Sequence, residues 1–184
     1  MKALLLLFLV VFIFTLVIFS LAILIRLRDS FFIKIPFVST RERAIGTIVK
    51  ALSLSKGSVF YELGCGNGKI LQRAITETSG SRGVGFEKGY LPYLLSLWNT
   101  KKLPVTIYYQ DILSVDLSPA THIYCYLFDF MMEKLSPKIL RECKKGTRIV
   151  TCDFQLPGIP LVQTVSLEAG NEKLSKMIYV YEVR

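Results

Sequence analysis

Hydrophobic residues form one long uninterrupted run at the N-terminus, and further along the chain they recur at the spacings of helices and strands. From residue 3 to residue 25 there is no charged side chain, and only Thr15 and Ser20 are polar. As a helix this run would be about 35 Å long, which is enough to cross a hydrocarbon layer of about 30 Å. The pattern therefore predicts a transmembrane helix that enters the lipid bilayer through residues 3–25.

A cleaved signal peptide is the alternative interpretation of the same run. Ser20 and Ala22 have the small side chains of a cleavage site, but the apolar run continues to Ile25 and is longer than that of a signal peptide. We therefore expect residues 1–28 to remain as a membrane anchor. Residues 29–56 would be a juxtamembrane segment and a leading helix, in which apolar side chains recur at helical spacing. These are Ala44, Ile45, Ile48, Val49 and Leu52.

The next feature is an apolar run over residues 59–63 that ends in glycines at alternate positions. A buried strand that ends in a tight turn has this pattern, since glycine takes positive φ at little cost and allows close approach of backbone N–H groups to a ligand. Residues 70–75 then have the apolar spacing of a helix. Strand, glycine turn and helix together predict the first unit of a nucleotide-binding α/β sheet, with the ligand at the carboxyl end of the strand.

The residues after the glycines decide between nucleotide ligands. Lys69 occupies the position of the third glycine of a dinucleotide fingerprint, and Ile70 breaks the phosphate-binding pattern G-x-x-x-x-G-K-[ST]. The remaining pattern, acidic-x-G-x-G-x-G, resembles the first motif of class I S-adenosylmethionine methyltransferases. This resemblance implies S-adenosylmethionine as the cofactor. The loop residues that it assigns to cofactor binding are Glu62, Gly64, Cys65, Gly66 and Gly68.

Two carboxylates follow later strands of the predicted sheet. Glu87 ends a short strand about twenty residues after Gly64, which is the position of a carboxylate that accepts hydrogen bonds from both ribose hydroxyls. Asp111 follows a third strand at residues 105–109. At this point the methyltransferase resemblance implies an acid that binds the adenine amino group, and it implies that Ile112 packs on the adenine ring.

The remaining elements complete the fold prediction. A helix at residues 90–101 has Leu94, Leu95 and Trp98 on its apolar side, and a nearly continuous apolar strand occupies residues 121–128. A helix at residues 133–144 and a strand at residues 147–154 follow. Two final strands flank a turn at residues 169–172 and should be antiparallel. Five parallel strands and a terminal antiparallel hairpin are the layout of a Rossmann-like class I methyltransferase, so we assign the S-adenosylmethionine-binding domain to residues 57–184.

A narrower resemblance rests on residues 36–40 (PFVST), the glycine motif, residues 131–140, residues 146–150 and the pair Asp153 and Phe154. Together these resemble the protein-lysine methyltransferase family that includes a membrane-anchored mitochondrial enzyme modifying the ATP synthase c subunit, and soluble archaeal relatives. Ser39 replaces a usual proline. The resemblance implies that the acceptor is a lysine ε-amine on a membrane or membrane-associated protein.

The stretch after the fourth strand bears on the acceptor. Methyltransferases acting on adenine or glutamine nitrogen usually have [D/N]-P-P-[Y/F] there, and this chain lacks both prolines. Asp129 is the acid nearest to that position, so we expect it to hold the lysine as a catalytic residue. Two alternatives remain: a membrane-anchored methyltransferase acting on a lipid or a quinone, and a non-catalytic cofactor-binding protein.

Charge adds an orientation. The net charge is +9, and residues 26–56 contain seven basic residues against two acidic ones, whereas Lys2 is alone on the other side of the apolar run. The positive-inside rule places the methyltransferase domain in the cytoplasm, or in the matrix if the protein is mitochondrial. Attraction to anionic lipids accounts for the basic segment, so a nucleic-acid partner is not expected. The four cysteines form no C-x-x-C pair and His122 is the only histidine, so no metal site is predicted.

Overall fold

The computed structural model describes residues 2–32, 42–167 and 177–184, and the chain divides into the units Met1–Pro36 and Phe37–Arg184. The first unit contains helix α1, Lys2–Phe32, which continues beyond the predicted end at residue 25. Its stretch Lys2–Leu24 is the one helix of the described chain that is long and apolar enough to cross a membrane. A signal sequence passes the same test, so the anchor stays a prediction.

The second unit alternates strands and helices. Its helices are α2 (Glu42–Leu52), α3 (Lys69–Glu77), α4 (Tyr90–Thr100) and α5 (Asp129–Glu142), with a short 3-10 helix at Ile112–Ser114. Its strands are β1 (Val59–Leu63), β2 (Arg82–Glu87), β3 (Val105–Tyr109), β4 (His122–Cys125), β5 (Arg148–Cys152), β6 (Leu161–Ser166) and β7 (Met177–Glu182).

Over the described residues these strands form one sheet in the order β3-β2-β1-β4-β5-β7-β6. Strands β1 to β5 pair in parallel, and β7 lies antiparallel between β5 and β6. The predicted class I methyltransferase sheet with its terminal hairpin is thus confirmed. The strand order reverses at β1, whose neighbours are β2 and β4, and open α/β sheets bind ligands at the carboxyl ends of the strands at such a point.

Helices cover both faces of the sheet because successive strand residues point to opposite sides. On one face, Ile48 and Leu52 of α2 belong to a buried cluster with Phe60 of β1 and Tyr124 of β4. On the other face, the neighbouring residue Cys125 contacts Met132 of α5, with 3.9 Å between the two sulfur atoms. The central strands are therefore buried on both sides, which fixes their carboxyl ends as one rigid edge.

Several elements differ from the sequence predictions. Strands β4 and β5 end at Cys125 and Cys152 instead of residues 128 and 154, because their pairing with the neighbouring strands ends there. Helix α5 begins at Asp129 instead of residue 133, because the N–H groups of Met131 and Met132 both bond to the carbonyl of Phe128. Helix α4 has its predicted bounds to within one residue, but its apolar side points away from the sheet. The predicted turn at residues 169–172 and the PFVST segment at 36–40 lie outside the described residues.

Candidate functional site

The glycine loop after β1 has the conformation that the sequence predicts. Gly64, Gly66 and Gly68 have φ angles of 78°, 55° and 75°, a region that residues with a Cβ rarely adopt. A Cβ on Gly68 would also lie 3.1 Å from Cβ of Ser96 in α4. Two requirements, positive φ and close approach to α4, thus specify glycine at position 68.

Glu62 connects the end of β1 to the start of α3. It is buried, and its Oε2 accepts a hydrogen bond of 3.1 Å from the N–H of Leu71 in the first turn of α3. These first-turn N–H groups lack partners within the helix, so the Glu62 oxygen satisfies one of them. Burial raises the pKa of Glu62 well above its usual range, the bond from Leu71 opposes the shift, and the charge of Glu87 adds to it. The residue therefore fixes the direction in which the chain leaves the loop.

Glu87 lies at the carboxyl end of β2, directly beside the glycine loop. Its Oε2 accepts a hydrogen bond of 2.8 Å from the N–H of Gly66. Its Oε1 accepts bonds of 2.9 and 2.6 Å from the N–H groups of Lys88 and Gly89. The carboxylate is thus held in one orientation at the edge where a ribose was expected, and its role toward the ribose remains a prediction.

Asp111 lies at the end of the neighbouring strand β3. Its Oδ1 accepts a bond of 3.0 Å from the N–H of Leu113, and its Oδ2 lies 2.7 Å from Nζ of Lys88. Partial burial raises the pKa of Asp111, but the bonds from Lys88 and Leu113 outweigh that effect and leave the pKa below its usual value. Ile112 begins the 3-10 helix and is buried. The proposed adenine contacts of both residues stay predictions.

Cys65 is the loop residue whose side chain turns inward. Its Sγ would lie 2.9 Å from a Cβ placed on Gly85, beneath the loop, and burial raises the pKa of the thiol. Its N–H bonds to the carbonyl of Phe86 at 3.0 Å. Its carbonyl accepts a bond of 2.8 Å from the N–H of Gly68, so both backbone groups of Cys65 have partners within the fold, and its contact with the cofactor stays a prediction.

The donor set fits S-adenosylmethionine. In the loop at the carboxyl edge Gly64 is exposed, so a ligand can approach the backbone there without a side chain in the way. Carboxylates end the two strands next to it, and they suit ribose hydroxyls and an amino-bearing ring as hydrogen-bond acceptors. Glu87 and Asp111 are linked by the backbone, since the N–H of Gln110 bonds to the carbonyl of Glu87 at 3.0 Å.

A cluster of aromatic side chains lies at the carboxyl ends of β4 and β5. The ring of Phe128 is 5.4 Å from that of Phe154 and 6.5 Å from that of Phe130, and the Tyr126 ring is 6.2 Å from that of Phe154. A Cβ on Gly64 would meet the side chain of the intervening Leu127 at 3.3 Å. The chain segment that carries Tyr126 and Phe128 therefore contacts the glycine loop through Leu127.

Asp153 anchors this cluster, and the sequence analysis gave it no role. It has φ 59°, an uncommon conformation for a residue other than glycine. Its Oδ2 accepts a bond of 2.8 Å from the Tyr126 hydroxyl, and its Oδ1 accepts one of 3.2 Å from the N–H of Met177. The predicted strand 147–154 included Asp153, whereas β5 ends at Cys152, so Asp153 directly follows the strand. Asp129, the predicted catalytic residue, is exposed in the first turn of α5, next to Phe128.

Comparisons with known proteins relate this chain to methyltransferases. A family model described as the ANTKMT methyltransferase domain matches residues 62–163, more than half of the chain. A protein-lysine N-methyltransferase of Saccharolobus islandicus (strain REY15A) is 29% identical over 153 residues, which are 81% of this chain and 94% of that protein.

Solved structures extend the comparison. An RNA methyltransferase from Salinibacter ruber, in complex with S-adenosyl-L-homocysteine, is 27% identical with a TM-score of 0.72, over 79% of this chain and 94% of that one. A methyltransferase from Geobacter sulfurreducens, with the same ligand, is 18% identical with a TM-score of 0.57, over 68% and 66% of the two chains, and shows the fold alone. The cofactor is S-adenosylmethionine. The chain thus belongs to the family of the ANTKMT methyltransferase domain, and it is a class I S-adenosylmethionine-dependent methyltransferase of the protein-lysine group.

Proposed function

We propose that the protein transfers a methyl group from S-adenosylmethionine to a lysine ε-amine of a membrane or membrane-associated protein. The relative from Saccharolobus islandicus is named as a protein-lysine N-methyltransferase, and the match covers almost its whole length. This similarity supports lysine as the acceptor. The observation that carries the proposal is the aromatic cluster beside the glycine loop, because its chemistry suits a lysine side chain.

The aromatic rings of Tyr126, Phe128 and Phe154 would line the approach of the lysine. The four methylene groups of lysine pack well on aromatic surfaces, and a cationic head is attracted to ring faces. The hydrogen bond from Tyr126 to Asp153 links the ends of β4 and β5, so the walls keep a fixed separation. Asp129, exposed at the start of α5, would hold the incoming ammonium at the entrance.

The chemistry requires positioning more than covalent participation by the protein. When bound, S-adenosylmethionine supplies a methyl group on a positively charged sulfur. Glu87 and the glycine loop would orient the donor, and the aromatic walls would exclude water from the line between the lysine nitrogen and the methyl carbon. The lysine nitrogen must be neutral when it attacks the methyl carbon. Asp129 would therefore act at an earlier stage, by binding the side chain while it is still a protonated ammonium.

The membrane part of the proposal rests on helix α1. Residues 3–25 would cross the bilayer, with the methyltransferase unit on the cytoplasmic side, or the matrix side in mitochondria. The second unit begins at Phe37, so a short tether would keep it near the bilayer and raise its effective concentration for membrane proteins.

RNA and lipid are the competing acceptors. The Salinibacter ruber protein is named as an RNA methyltransferase, and an anchor would serve a lipid or quinone substrate as well. Against a planar nitrogen acceptor stands the segment Asp129-Phe130-Met131-Met132, which lacks the two prolines usual in enzymes of that kind and forms the first turn of α5.

A label-partition assay separates these acceptors. The full chain is incubated with methyl-labelled S-adenosylmethionine and membranes plus RNA from cells that lack the gene, and the products are divided into protein, lipid and RNA. We expect label in protein, at a lysine, and at least about tenfold less label with a Glu87→Ala variant at limiting cofactor. Label confined to lipid or to RNA would overturn the lysine proposal, and no label in any fraction would favour a non-catalytic cofactor-binding protein.

A further inference from the structure

Helix α4 carries its apolar side chains on the face that points away from the sheet. Trp98 is 68% exposed, Leu95 54% and Leu94 42%, and Tyr90 and Leu97 are exposed on the same side. At 100° per residue these five positions fall within an arc of about 160°. Scattered apolar residues on a surface are ordinary, but a contiguous stripe of this kind marks an interaction surface.

The inward side of α4 explains this inverted arrangement. Ser96 and Thr100 are the buried residues of the helix. Both lie against Gly68, where a Cβ would be 3.1 Å from Ser96 Cβ and 3.3 Å from Thr100 Cγ2. Small side chains are required there so that the glycine loop can approach, and the large ones must point outward. The outward position of the large apolar side chains of α4 therefore follows from how the helix packs on the glycine loop.

The aromatic surface continues from α4 onto the edge strand β3. The exposed ring of Tyr109 lies 6.0 Å from that of Tyr90 and 5.5 Å from that of Tyr93. Tryptophan and tyrosine are enriched where hydrocarbon meets lipid headgroups, because their rings have an apolar body and a polar tip.

The charge at the C-terminal end of the stripe is positive. The sequence from Lys88 to Lys102 contains three lysines and no acid; Lys88 is paired with Asp111, and Lys101 and Lys102 lie at the end of α4. Nζ of Lys101 lies 3.6 Å from the centre of the Trp98 ring. At the C-terminal end of α4, a depression of about 310 Å³ is lined by Trp98, Asn99, Lys101 and Lys102, together with Gln72 and Thr76 of α3. Cationic and amide donors around a depression of this size complement an anionic headgroup.

We propose that the outer face of α4, formed by Tyr90, Leu94, Leu95, Leu97 and Trp98, lies on the surface of an anionic bilayer. The apolar stripe would enter the boundary between headgroups and acyl chains, and Lys101 and Lys102 would contact lipid phosphates. The inference rests on the membrane anchoring in the proposed function, because only nine residues of sequence separate the end of α1 at Phe32 from the start of α2 at Glu42, and so short a connection would keep this unit near a bilayer. The N-terminus of α4 follows Glu87, so this contact would bring the cofactor edge toward membrane-embedded acceptors.

Trp98 makes the contact directly measurable, since it is the only tryptophan of the chain. The full chain is reconstituted into vesicles of phosphatidylcholine and phosphatidylglycerol, with and without bromine on the upper acyl-chain carbons. We expect bromine to quench about half or more of the tryptophan emission, since an interfacial helix is buried about 5–10 Å into the boundary. Quenching should fall at least about twofold in pure phosphatidylcholine, because Lys101 and Lys102 then face no net negative lipid charge. It should fall similarly at high salt, because salt screens their attraction to the anionic lipid.

Charge variants provide a matched control. Lys101→Glu with Lys102→Glu should reduce quenching at least about twofold, whereas Lys144→Glu with Lys145→Glu, an exposed pair before β5, makes the same charge change and should leave it unaltered. Leu94→Gln with Leu95→Gln should also reduce quenching while cofactor affinity stays at the wild-type value, which shows that the variant is folded.

Flotation with the vesicles separates this proposal from the anchor. Protein that floats and methylates, but whose Trp98 is not quenched in anionic vesicles, would overturn the α4 contact and leave the proposed function intact. Protein that does not float would overturn the anchor and this contact together. Emission that shifts to the blue only as the protein-to-lipid ratio rises would instead assign the stripe to a second copy of the chain and refute the bilayer contact.

Discussion

Glu87 is the residue through which the cofactor site is most directly tested. Its carboxylate accepts three backbone N–H bonds, one of them from the glycine loop, and stands where a ribose was predicted. We expect Glu87→Ala to weaken S-adenosylmethionine binding by at least about tenfold, since bonds to a charged group contribute roughly 1.5–3 kcal/mol each. Calorimetry on the full chain in detergent measures the affinity.

Glu77→Ala is the matched control for this prediction. Glu77 is a glutamate of the exposed end of α3, paired only with Arg73 among the contacts described, and its replacement should leave the affinity unchanged. A folded Glu87→Ala protein with wild-type affinity would remove Glu87 from the cofactor site.

Gly68 allows the cost of close packing to be separated from the cost of backbone strain. Gly68 and Gly158 both have φ 75°, but a Cβ on Gly158 would have open space, whereas one on Gly68 would meet Ser96 and Thr100 of α4. Alanine at either site should lower the free energy of unfolding by about 1 kcal/mol for the left-handed conformation. We expect Gly68→Ala to lower it by a further ~1–3 kcal/mol and to weaken cofactor binding. Equal losses in the two variants, by thermal unfolding, would contradict the close approach.

At the scale of elements, the junction of β1 and α3 depends on the protonation of Glu62. Burial raises its folded-state pKa, so Glu62 stabilises the fold relative to the unfolded chain at pH values below the ordinary pKa of 4.5, and this contribution is lost as pH rises toward the raised value. Glu62→Gln keeps an oxygen for the N–H of Leu71 and does not ionise. We therefore expect the melting temperature of Glu62→Gln to increase relative to that of the wild type as pH rises from about 5 to 8.

Thermal unfolding of the wild type and Glu62→Gln in a pH series without cofactor checks this. A constant difference at every pH would show that Glu62 ionises in the fold as readily as in water. Lys138 and Glu142 of α5 form a pair distant from this junction, so Glu142→Gln serves as a second carboxyl-to-amide change with the opposite expectation. Burial raises the pKa of Glu142, but the hydrogen bonds from Lys138, the N–H of Leu117 and Arg141 together outweigh it and leave the pKa lowered, so its replacement should cost stability above the ordinary pKa.

The sequence predicted correctly those strands, helices and turns that depend only on neighbouring residues in the chain. The run 59–63 could be read as a buried strand and the glycines as a turn because both features are set by residues adjacent in sequence. The outward face of α4 could not be predicted, because the approach of Gly68 to Ser96 depends on an element far along the chain. The start of α5 was placed at residue 133, since Asp129 and Phe130 resemble a loop, but the carbonyl of Phe128 begins the helix.

In the candidate site, too, some residues could be located from local sequence and others depend on distant parts of the chain. The glycine loop, Glu87 and Asp111 could be located from sequence because each lies at a strand end, and parallel strands bring these ends together at one edge. The aromatic cluster of Tyr126, Phe128 and Phe154 was missed, since its members follow two strands whose adjacency only the sheet order reveals. The role of Asp153 could not be predicted either, because it depends on a left-handed backbone conformation that the sequence does not reveal.

At the scale of the whole molecule, charge asymmetry across α1 sets the expected orientation. Residues 26–56 carry seven basic residues and two acidic ones, so this side should face the cytoplasm. A protease added to intact cells or spheroplasts should leave the unit Phe37–Arg184 uncut, and the same protease should degrade it after the membrane is opened. Cleavage from outside would reverse the orientation.

Methyl transfer to lysine at a membrane is tested by mass spectrometry of membrane proteins from three kinds of cell: with the gene, without it, and with the Glu87→Ala variant. We expect at least one lysine that is methylated in the first cells, unmodified in the second and less methylated in the third. Identical lysine methylation in all three, together with a lipid, quinone or RNA that loses a methyl group when the gene is absent, would contradict it.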